Sequence, residues 1–524
     1  MQECVDSGML TTEALQRCYR QIDTVDLRTI LEVRVANDPE GIAFVYGDGE
    51  AETKKSCRQF YSEVLALASY LHDRHQHAKI ALIGENSYEW IVCFFATIIS
   101  DNIIVPLDKD LPPTELNELV DRCSCDLLIH SQIYADVARE LCGNRSLASL
   151  SMAEIRNVLS RAGRMEFAHR RDPEDTCAIF FTSGTTGTPK GVMLSERNIS
   201  HDSYYSAFDL WLEGDSVLTL PLHHTFSLAV GVMGAYICGH AVCISKGIRY
   251  FASELEKRHP ASLCVVPLYL ETLYKRIWRQ AKIDGLEGKL KWALRLSRAL
   301  RKIGIDVRRR LFKTVLDKLG GKLVDIICGG AYLDQSYIDF FDDIGVNIYN
   351  GYGITECSPI VSVNRAEKRV AHSVGKPVSC LKVATINGEI CVRGDAVMLG
   401  YYDDARATHD ALVDGWFHTG DLGYIDDGYI FITGRKKNLI ILSNGKNVSA
   451  EELEERLTRI DAVSEVVVRN ENDRIVAEIY SKEGKTADAE VEALNRTLPP
   501  YKRIAEIRYR DAEFAKTTTQ KIKR

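Results

Sequence analysis

A short segment of the chain combines glycine, hydroxyl and lysine residues in the manner of a phosphate-binding loop. An apolar stretch over 177–181 precedes it, and it contains Thr182, Ser183, Gly184, Thr185, Thr186, Gly187 and Lys190. Glycine lets the backbone approach a ligand closely, hydroxyl and amide groups donate hydrogen bonds, and lysine adds positive charge. The segment therefore predicts a cradle for a polyphosphate, although the Gly-Lys-Ser/Thr ending of a Walker loop is missing. The alternative interpretation is an ordinary surface loop.

Two further glycine-rich turns follow predicted strands. Gly330 and Ala331 come after an apolar stretch over 322–327, and the second turn comes after the stretch over 346–349. The second turn contains Tyr352, Gly353, Thr355 and Glu356. Ligands of open α/β sheets bind outside the carboxyl ends of the strands. We therefore expect the three turns to converge on one nucleotide, although each alone is compatible with a simple turn.

Another pair of polar residues lies further along the chain. Asp421 ends the sequence Trp-Phe-His-Thr-Gly-Asp, and Arg435 follows Gly434. An aspartate can accept hydrogen bonds from both hydroxyls of a ribose, and an arginine can add to that contact or meet a phosphate. The pair predicts a ribose site. The alternatives are a turn capped by Asp421 and a solvated Arg435.

The pattern around these residues predicts the elements that position them. Short apolar strands are expected over 79–83, 103–106 and 127–130 with helices between them, which is typical of a parallel sheet covered by helices. Further on, the segments become short and are punctuated by glycine and aspartate. We expect an α/β protein with a large N-terminal domain over 1–436, made of parallel-sheet α/β subdomains and a small β subdomain. A small, mobile α+β domain is expected over 437–524.

The composition excludes several classes of protein. The 524 residues are 45% hydrophobic and 27% charged, as in ordinary globular proteins. Lys and Arg number 66 against 73 Asp and Glu, so no basic field favours nucleic acid. The 15 cysteines are scattered without a Cys-x-x-Cys pair or zinc-ligand spacing, which favours reduced thiols in the cytoplasm over a disulfide framework.

Two segments of the chain bear on membrane targeting. Residues 1–10 lack the basic and apolar regions of a signal peptide. Residues 227–244 carry no Asp, Glu, Lys or Arg, but they include three glycines and His240. A membrane span needs about 20 apolar residues. We therefore expect a buried helix followed by a strand.

Taken in order, these motifs resemble those of the adenylate-forming superfamily, which comprises acyl-CoA synthetases, luciferases and the adenylation domains of peptide synthetases. The resemblance extends from about Asp26 to Arg524, includes a C-terminal segment over 516–522, and is strongest to bacterial long-chain fatty acid–CoA ligases. The chain departs from the family's usual residues at four positions: Cys328, Tyr332, Ala515 and Gln520.

The resemblance implies a role for each residue of the glycine-rich turns. The loop over 182–190 would hold the phosphates of ATP. Tyr352 would stack on the adenine, with Gly330 and Ala331 lining the other side. In the same turn, Thr355 would contact phosphate and Glu356 would help to hold Mg²⁺.

The resemblance also implies roles for residues near the C-terminus. Asp421 would bind the ribose hydroxyls with Arg435 beside it, and Lys437 resembles the hinge about which the small domain rotates between two half-reactions. Lys521 resembles the lysine that bridges the substrate carboxylate and the α-phosphate. That step brings anions together, so a mobile ammonium and Mg²⁺ would neutralise the developing charge. The alternative for Lys521 is an ordinary basic chain end.

Other segments bear on the acid and on its acceptor. His224 lies in a segment that resembles the acyl site of fatty-acyl and aryl-CoA ligases, although a core or capping histidine is the alternative. The small apolar residues that follow contain no acidic partner for an amino acid's ammonium, which favours an apolar acyl chain. The loop containing Gly445 resembles the one that CoA ligases place along the pantetheine tunnel. It predicts a thiol acceptor, which is either CoA or an acyl carrier protein.

A basic segment suggests a further partner. Residues 287–322 carry twelve Lys and Arg against three Asp and Glu, with Trp292 and other apolar residues among them. Such a face can rest on anionic lipid, which predicts a cytoplasmic protein with peripheral contact to the inner membrane surface. The alternatives are an acidic carrier protein, the phosphates of CoA, or a solvated face.

The sequence thus predicts a ligase that uses ATP, Mg²⁺ and CoA to convert a medium- or long-chain fatty acid to its CoA thioester through an acyl-adenylate. The alternative enzymes are an acyl–acyl-carrier-protein ligase and an aryl-acid CoA ligase. A different class is a non-catalytic adenylation-like binding module.

Overall fold

The computed structural model describes residues 12–47, 51–143, 145–160, 167–182, 189–442, 446–482, 484–516 and 522. The chain divides into two compact units. The first unit comprises Met1–Arg369, Pro377–Lys382 and Arg393–Asp410, and the second comprises Val370–Lys376, Val383–Val392 and Ala411–Arg524. The predicted boundary at Lys437 therefore stays a prediction about where the chain hinges.

The α-helices of the described residues are α1 (Thr12–Tyr19), α2 (Leu27–Asn37), α3 (Cys57–His72), α4 (Tyr88–Ile99), α5 (Pro113–Cys123), α6 (Ala135–Cys142), α7 (Met152–Leu159), α8 (Glu196–Asp209), α9 (Ala235–Ile237), α10 (Phe251–Arg258), α11 (Pro267–Ile283), α12 (Glu287–Lys302), α13 (Arg308–Leu311), α14 (Lys313–Asp317), α15 (Gln335–Ile344), α16 (Ala405–Ala411), α17 (Ala450–Thr458) and α18 (Asp488–Thr497). A π-helix covers Ser227–Gly234, and 3₁₀ helices cover Gln132–Tyr134, Ile248–Tyr250, Thr355–Cys357, Lys436–Asn438 and Pro500–Lys502.

The strands of the described residues are β1 (Ile42–Tyr46), β2 (Thr53–Ser56), β3 (Lys79–Ile83), β4 (Ile103–Pro106), β5 (Leu127–His130), β6 (Ala148–Ser151), β7 (Thr176–Thr182), β8 (Lys190–Ser195), β9 (Ser216–Leu218), β10 (Val242–Ile244), β11 (Ser262–Val265), β12 (Asp325–Cys328), β13 (Asn347–Gly353), β14 (Ile360–Val363), β15 (Lys376–Pro377), β16 (Leu381–Ile386), β17 (Glu389–Gly394), β18 (Gly400–Tyr401), β19 (Leu412–Val413), β20 (Trp416–Asp426), β21 (Tyr429–Arg435), β22 (Leu439–Ile441), β23 (Asn447–Ser449), β24 (Glu465–Glu471), β25 (Arg474–Tyr480) and β26 (Glu506–Arg510).

Two large sheets form the first unit as far as it is described. One has the strand order β18-β8-β7-β4-β3-β5-β6, and the other has the order β15-β14-β13-β12-β11-β9-β10-β1-β2. Strands β3 to β7 pair in parallel in the first sheet, as do β9 to β13 in the second. The predicted parallel-sheet α/β fold is therefore confirmed.

The central strands are apolar throughout because helices cover both faces of the sheet. The ranges of β3, β4 and β5 are those predicted from the sequence. The helix between β3 and β4, α4, begins after Ser87, whose side chain accepts a hydrogen bond from the backbone N–H of Trp90. All twelve residues of α4 are buried, which explains why its sequence is apolar on every side.

The uncharged segment over 227–244 is also part of the core. It forms the π-helix, α9 and β10, and every residue of the π-helix is buried. This confirms the predicted helix and strand. Within the described chain, no helix has the length and apolar character that crossing a bilayer would need.

The second unit is built from short antiparallel strands followed by an α+β region. Strands β16, β17, β20, β19 and β21 form one sheet, β22 and β23 form a ribbon, and β24 to β26 form a three-stranded sheet. Helix α17 packs its buried Leu453 and Leu457 into the apolar core of this α+β region. Ser449 caps α17 and also donates a hydrogen bond to the Thr433 carbonyl at 3.0 Å. Lys437 is exposed in the 3₁₀ helix that follows β21.

One buried carboxyl group of the first unit predicts a pH effect on stability. Asp202 of α8 is fully buried, and its Oδ1 accepts a hydrogen bond from the Ile360 N–H at 3.2 Å. Its Oδ2 has no hydrogen-bond partner among the described residues. Burial raises the pKa of Asp202 well above its usual range. The folded protein thus keeps a proton that the unfolded chain releases above about pH 4, and this costs stability increasingly as the pH rises.

We expect Asp202→Asn to melt with the wild type near pH 4 and about 2 °C above it at pH 8, because asparagine has no proton to release. Differential scanning fluorimetry across this range measures the difference. The matched control is Asp209→Asn on the same helix, which breaks the 2.9 Å ion pair with Arg365 and should lower the melting temperature. If the difference in melting temperature between Asp202→Asn and the wild type does not grow with pH, the raised pKa of Asp202 would be contradicted.

Candidate active site

A lysine, a tyrosine and a glutamate meet where the phosphate-type loop rejoins the sheet. Lys190 begins β8, and its Nζ lies 4.6 Å from the centre of the Tyr401 ring. The Tyr401 hydroxyl donates a hydrogen bond to Glu356 Oε1 at 2.9 Å. A cation over an aromatic face is attracted to the ring, so Tyr401 binds the ammonium with its ring and the carboxylate with its hydroxyl. The predicted Lys190 and Glu356 are therefore brought together.

Tyr401 is held in this position by strand pairing that the sequence analysis did not foresee. Strand β18 pairs antiparallel with β8, and Tyr401 lies opposite Val192. The Tyr401 N–H donates to Thr408 Oγ1 at 2.9 Å. Burial, followed by the charge of Glu356, raises the pKa of Tyr401 well above its usual range, so the phenol stays protonated and remains a donor. The available signal was weak: a glycine followed by two tyrosines after an apolar stretch.

The turns after β12 and β13 lie at one edge of the second large sheet. The two strands are parallel neighbours, with Cys328 opposite Asn350. Gly330 and Ala331 follow β12 and are exposed, while the half-buried Tyr352 lies near the end of β13. This places the two turns side by side, as expected.

Glycine is required in both turns. Gly330 has a φ of +83°, in the left-handed region that favours glycine. A Cβ on Gly353 would lie 2.3 Å from the Pro359 carbonyl oxygen. After Ile354, a 3₁₀ helix covers Thr355–Cys357, and the Met398 N–H donates to the Glu356 carbonyl at 2.9 Å. Glu356 is thus held by a hydrogen bond to its backbone carbonyl and by a second one, from Tyr401, to its carboxylate.

Several predicted residues lie outside the described residues. They are Ser183, Gly184, Thr185, Thr186, Gly187, Gly445 and Lys521. The two ends of the phosphate-type loop are described: Thr182 lies opposite Lys190 in the pairing of β7 with β8. Next to Lys521, Ile522 pairs with Lys516.

His224 lies beside a second histidine that the sequence analysis did not single out. The ring centres of His223 and His224 are 4.2 Å apart, and His223 Nε2 lies 3.4 Å from Asp108 Oδ1. Burial, with the nearby Lys109, lowers the pKa of His223 to about 3, so its ring is neutral at physiological pH. The Asn86 side chain anchors the preceding segment, donating to the Leu220 carbonyl at 2.7 Å.

An apolar cavity lies next to the π-helix that follows His224. Its walls come from α8, the π-helix, β12 and β14, and they include Ala207, Leu210, Val230, Ile327, Ile360 and Val363. The described residues that line it carry no charged side chain. The lining of this small cavity is therefore apolar.

Asp421 and Arg435 face each other in the second unit. They are opposite residues of β20 and β21, and Arg435 Nε lies 2.8 Å from Asp421 Oδ1. The Asp421 side chain is 3% exposed and that of Arg435 is 44% exposed. The Asp421 N–H donates to Thr419 Oγ1 at 3.0 Å. Arg435 is therefore both paired with Asp421 and exposed to solvent, and its contact with a nucleotide stays a prediction.

A glycine-rich turn, an ammonium and a carboxylate brought together in an α/β fold fit a nucleotide-binding enzyme. The sequence profile described as AMP-binding enzyme matches residues 31–402, so the chain belongs to the family of AMP-binding enzymes. The predicted adenylate-forming superfamily is confirmed.

Curated and solved relatives agree with this family. Long-chain-fatty-acid–CoA ligase FadD15 of Mycobacterium bovis is 29% identical over 478 residues, covering 82% of this chain and 78% of the relative. The structure of O-succinylbenzoate coenzyme A synthetase (MenE) from Bacillus subtilis, in complex with ATP and magnesium ion, gives a TM-score of 0.76 at 20% identity, covering 94% of this chain and 98% of that one. A Mycobacterium tuberculosis fatty acyl CoA synthetase gives 0.69 at 21% identity, covering 95% and 96%.

These likenesses confirm two predictions. The α/β architecture with a large N-terminal and a small C-terminal domain is that of the solved structures. The enzyme class, an AMP-forming acid–thiol ligase, is that of the family and its curated relatives.

Tyr401→Phe tests the link between the lysine and the glutamate. The variant keeps the ring under Lys190 and removes the hydrogen bond to Glu356. A hydrogen bond to a charged group contributes about 1.5–3 kcal/mol, so we expect affinity for ATP with Mg²⁺ to fall about tenfold or more. Isothermal titration calorimetry measures the affinity. The control is Tyr402→Phe, which should change the affinity for ATP with Mg²⁺ less than about twofold. Equal affinities of the two variants would contradict a role of the Tyr401 hydroxyl in binding.

Proposed function

We propose that the protein activates a medium- or long-chain fatty acid and transfers it to the thiol of CoA. The carboxylate attacks the α-phosphorus of ATP and pyrophosphate leaves, which gives an acyl-adenylate. The thiol then attacks the acyl carbonyl, loses its proton, and AMP leaves. The observation that carries this proposal is the Lys190–Tyr401–Glu356 arrangement beside the glycine-rich turn of an AMP-binding enzyme.

The residues present suit ATP and Mg²⁺. Lys190 supplies a cation for the phosphates, and Glu356 supplies a carboxylate oxygen of the kind that Mg²⁺ prefers. Bound there, Mg²⁺ would neutralise phosphate charge. Asp421 supplies the acceptor that ribose hydroxyls require, with Arg435 orienting it. We assign Lys521 the bridge between the acid and the α-phosphate, and Lys437 the hinge.

Two observations favour an apolar acid over an amino acid. The cavity beside the π-helix has uncharged walls, and burying an ammonium there without a partner would be costly. In the segment that resembles the acyl site, His223 is neutral at physiological pH and its ring lies against that of His224, so His223 adds no charge there. The relatives include a fatty-acid–CoA ligase and an O-succinylbenzoate CoA synthetase. The fatty acid is preferred because the fatty-acid–CoA ligase is 29% identical to this chain and the O-succinylbenzoate enzyme is 20% identical.

The proposal also includes contact with an anionic lipid bilayer in the cytoplasm. Lys289, Trp292 and Arg295 follow at three-residue intervals on the exposed side of α12, and Leu290 and Leu294 bury the other side. Trp292 is 62% exposed and Ile303 is 69% exposed. Exposed apolar side chains among cations match a surface with acyl chains below negative headgroups.

Pyrophosphate release from ATP and Mg²⁺, measured with acetate, octanoate, palmitate, benzoate and several amino acids, tests the activity. We expect release with the longer fatty acids, acceleration by CoA, and acyl-CoA as product. Release unaffected by CoA would point to a carrier protein as acceptor. Release with benzoate alone would favour an aryl acid, and silence with every acid would favour a non-catalytic module.

Lys521→Ala provides the internal control for this assay. It should abolish most pyrophosphate release, because the transition-state charge loses its ammonium. Thioester formation from supplied acyl-adenylate should persist. Adenylation at the wild-type rate would show that Lys521 has another role.

Trp292→Ala tests the bilayer contact. We expect at least a fivefold loss of binding to phosphatidylglycerol-containing vesicles in a sedimentation assay, because a buried tryptophan contributes about 1–3 kcal/mol. Binding should also weaken at high salt. The control is Ile133→Ala, which removes a 74% exposed apolar residue elsewhere. Equal binding of wild type to neutral and anionic vesicles would contradict the proposal.

A further inference from the structure

We propose that Glu389, Cys391 and His418 form a binding site for a divalent transition-metal ion of the Zn²⁺ type. The three residues lie in the small β sheet of the second unit. None of them was assigned a role in the proposed chemistry. Their arrangement, and not any local spacing in the sequence, carries the inference.

Strand pairing brings the three side chains together. Strands β17 and β20 are antiparallel, and Cys391 lies directly opposite His418. His418 Nδ1 lies 3.2 Å from Glu389 Oε2 and 3.5 Å from Cys391 Sγ. The three potential ligand atoms all lie within 4.8 Å of one another. A tetrahedral zinc site with bonds of about 2.0–2.3 Å needs ligand atoms roughly 3.4 Å apart, so only small side-chain movements are required.

The ligand types define the ion. A thiolate and an imidazole favour Zn²⁺ or Co²⁺ over Mg²⁺ and Ca²⁺, which prefer oxygen ligands. Three protein ligands leave a fourth position for water. Cys391 is a free, buried thiol, and Glu389 is also buried, whereas the His418 side chain is 25% exposed. An ion can therefore enter from the histidine side.

One cation already occupies part of this site. Lys436 Nζ lies 3.1 Å from Glu389 Oε2, and the Lys436 side chain is 65% exposed. A metal ion bound to Glu389 would displace this ammonium, which can move into solvent at little cost. The lysine is therefore a competitor of the ion, and its removal should strengthen metal binding.

The site is coupled to the turn that carries Asp421. Glu389 Oε1 accepts a hydrogen bond from the Gly420 N–H at 2.8 Å, and Thr419 Oγ1 donates to the Ile390 carbonyl at 2.7 Å. An ion bound by Glu389 of β17 and His418 of β20 would link these two strands next to the turn. The consequence for nucleotide binding rests on the proposed function, but metal binding itself does not.

The test is a titration of the full, chelator-treated protein with Co²⁺, followed by absorption, and with Zn²⁺, followed by equilibrium dialysis. We expect one equivalent of tight binding, a thiolate-to-cobalt charge-transfer band and the visible bands of a tetrahedral site. Cys391→Ser and His418→Gln should each lose the band. The control is Cys142→Ser, a half-buried cysteine of the first unit, which should keep it.

Lys436→Ala provides an independent test that needs no loss of structure. Without the competing ammonium, we expect Zn²⁺ to bind at least threefold more tightly. Absence of the charge-transfer band, its persistence in Cys391→Ser, or unchanged affinity in Lys436→Ala would overturn the proposal. None of these measurements depends on ligase activity, so a failure of the proposed function would appear separately, in the pyrophosphate assay.

Discussion

The phenol of Tyr401 lies between the ammonium of Lys190 and the carboxylate of Glu356, and the candidate site depends on this arrangement. An ammonium for the phosphates and a carboxylate for a cation must lie close together, yet a direct ion pair between them would satisfy both and leave neither for a ligand. Tyr401 binds Lys190 with its ring and Glu356 with its hydroxyl. Because burial keeps the phenol protonated, its hydroxyl remains a donor to Glu356. The pairing of β18 with β8 places this ring beside Lys190.

The pairing of β18 with β8 also shows which features could be predicted from the sequence and which could not. Strands β3, β4 and β5 could be predicted to the residue because each is a short apolar run between polar turns, which is a local signal. Tyr401 could not, because its partners come from segments far away along the chain. The same is true of Cys391 and His418: no zinc-ligand spacing is present in the sequence, yet β17 and β20 place the two side chains opposite each other. The spacing of residues along the chain predicts turns and strands. Which side chains face each other across two strands depends on the pairing register, which the sequence alone does not give.

In the basic segment over 287–322, the number of cationic residues is larger than the number of cations that are free to contact an external partner. Several of its twelve cations are used internally: Arg298 pairs with Asp343, and Arg301 pairs with Asp342, both in α15. These partly buried pairs attach α12 to its neighbour and contribute little to an external field. The exposed remainder is smaller, and within it Lys289, Trp292 and Arg295 share the exposed side of α12. The proposed contact with anionic lipid rests on the direction of these side chains rather than on the excess of twelve over three.

The hydrogen bonds of Glu389 explain why one residue can serve both the fold and a metal ion. Burial alone would raise the pKa of its carboxyl group, but bonds from His418, the Gly420 N–H and Lys436 hold the pKa below its usual range. A buried carboxylate that stays ionised needs such partners. The partners that stabilise the charge differ in how firmly they are held: the backbone N–H is fixed, the imidazole is partly exposed, and the ammonium reaches in from solvent. The last of these is the one that the proposed ion would replace, so the Gly420 N–H bond between Glu389 and the turn that holds Asp421 would be kept.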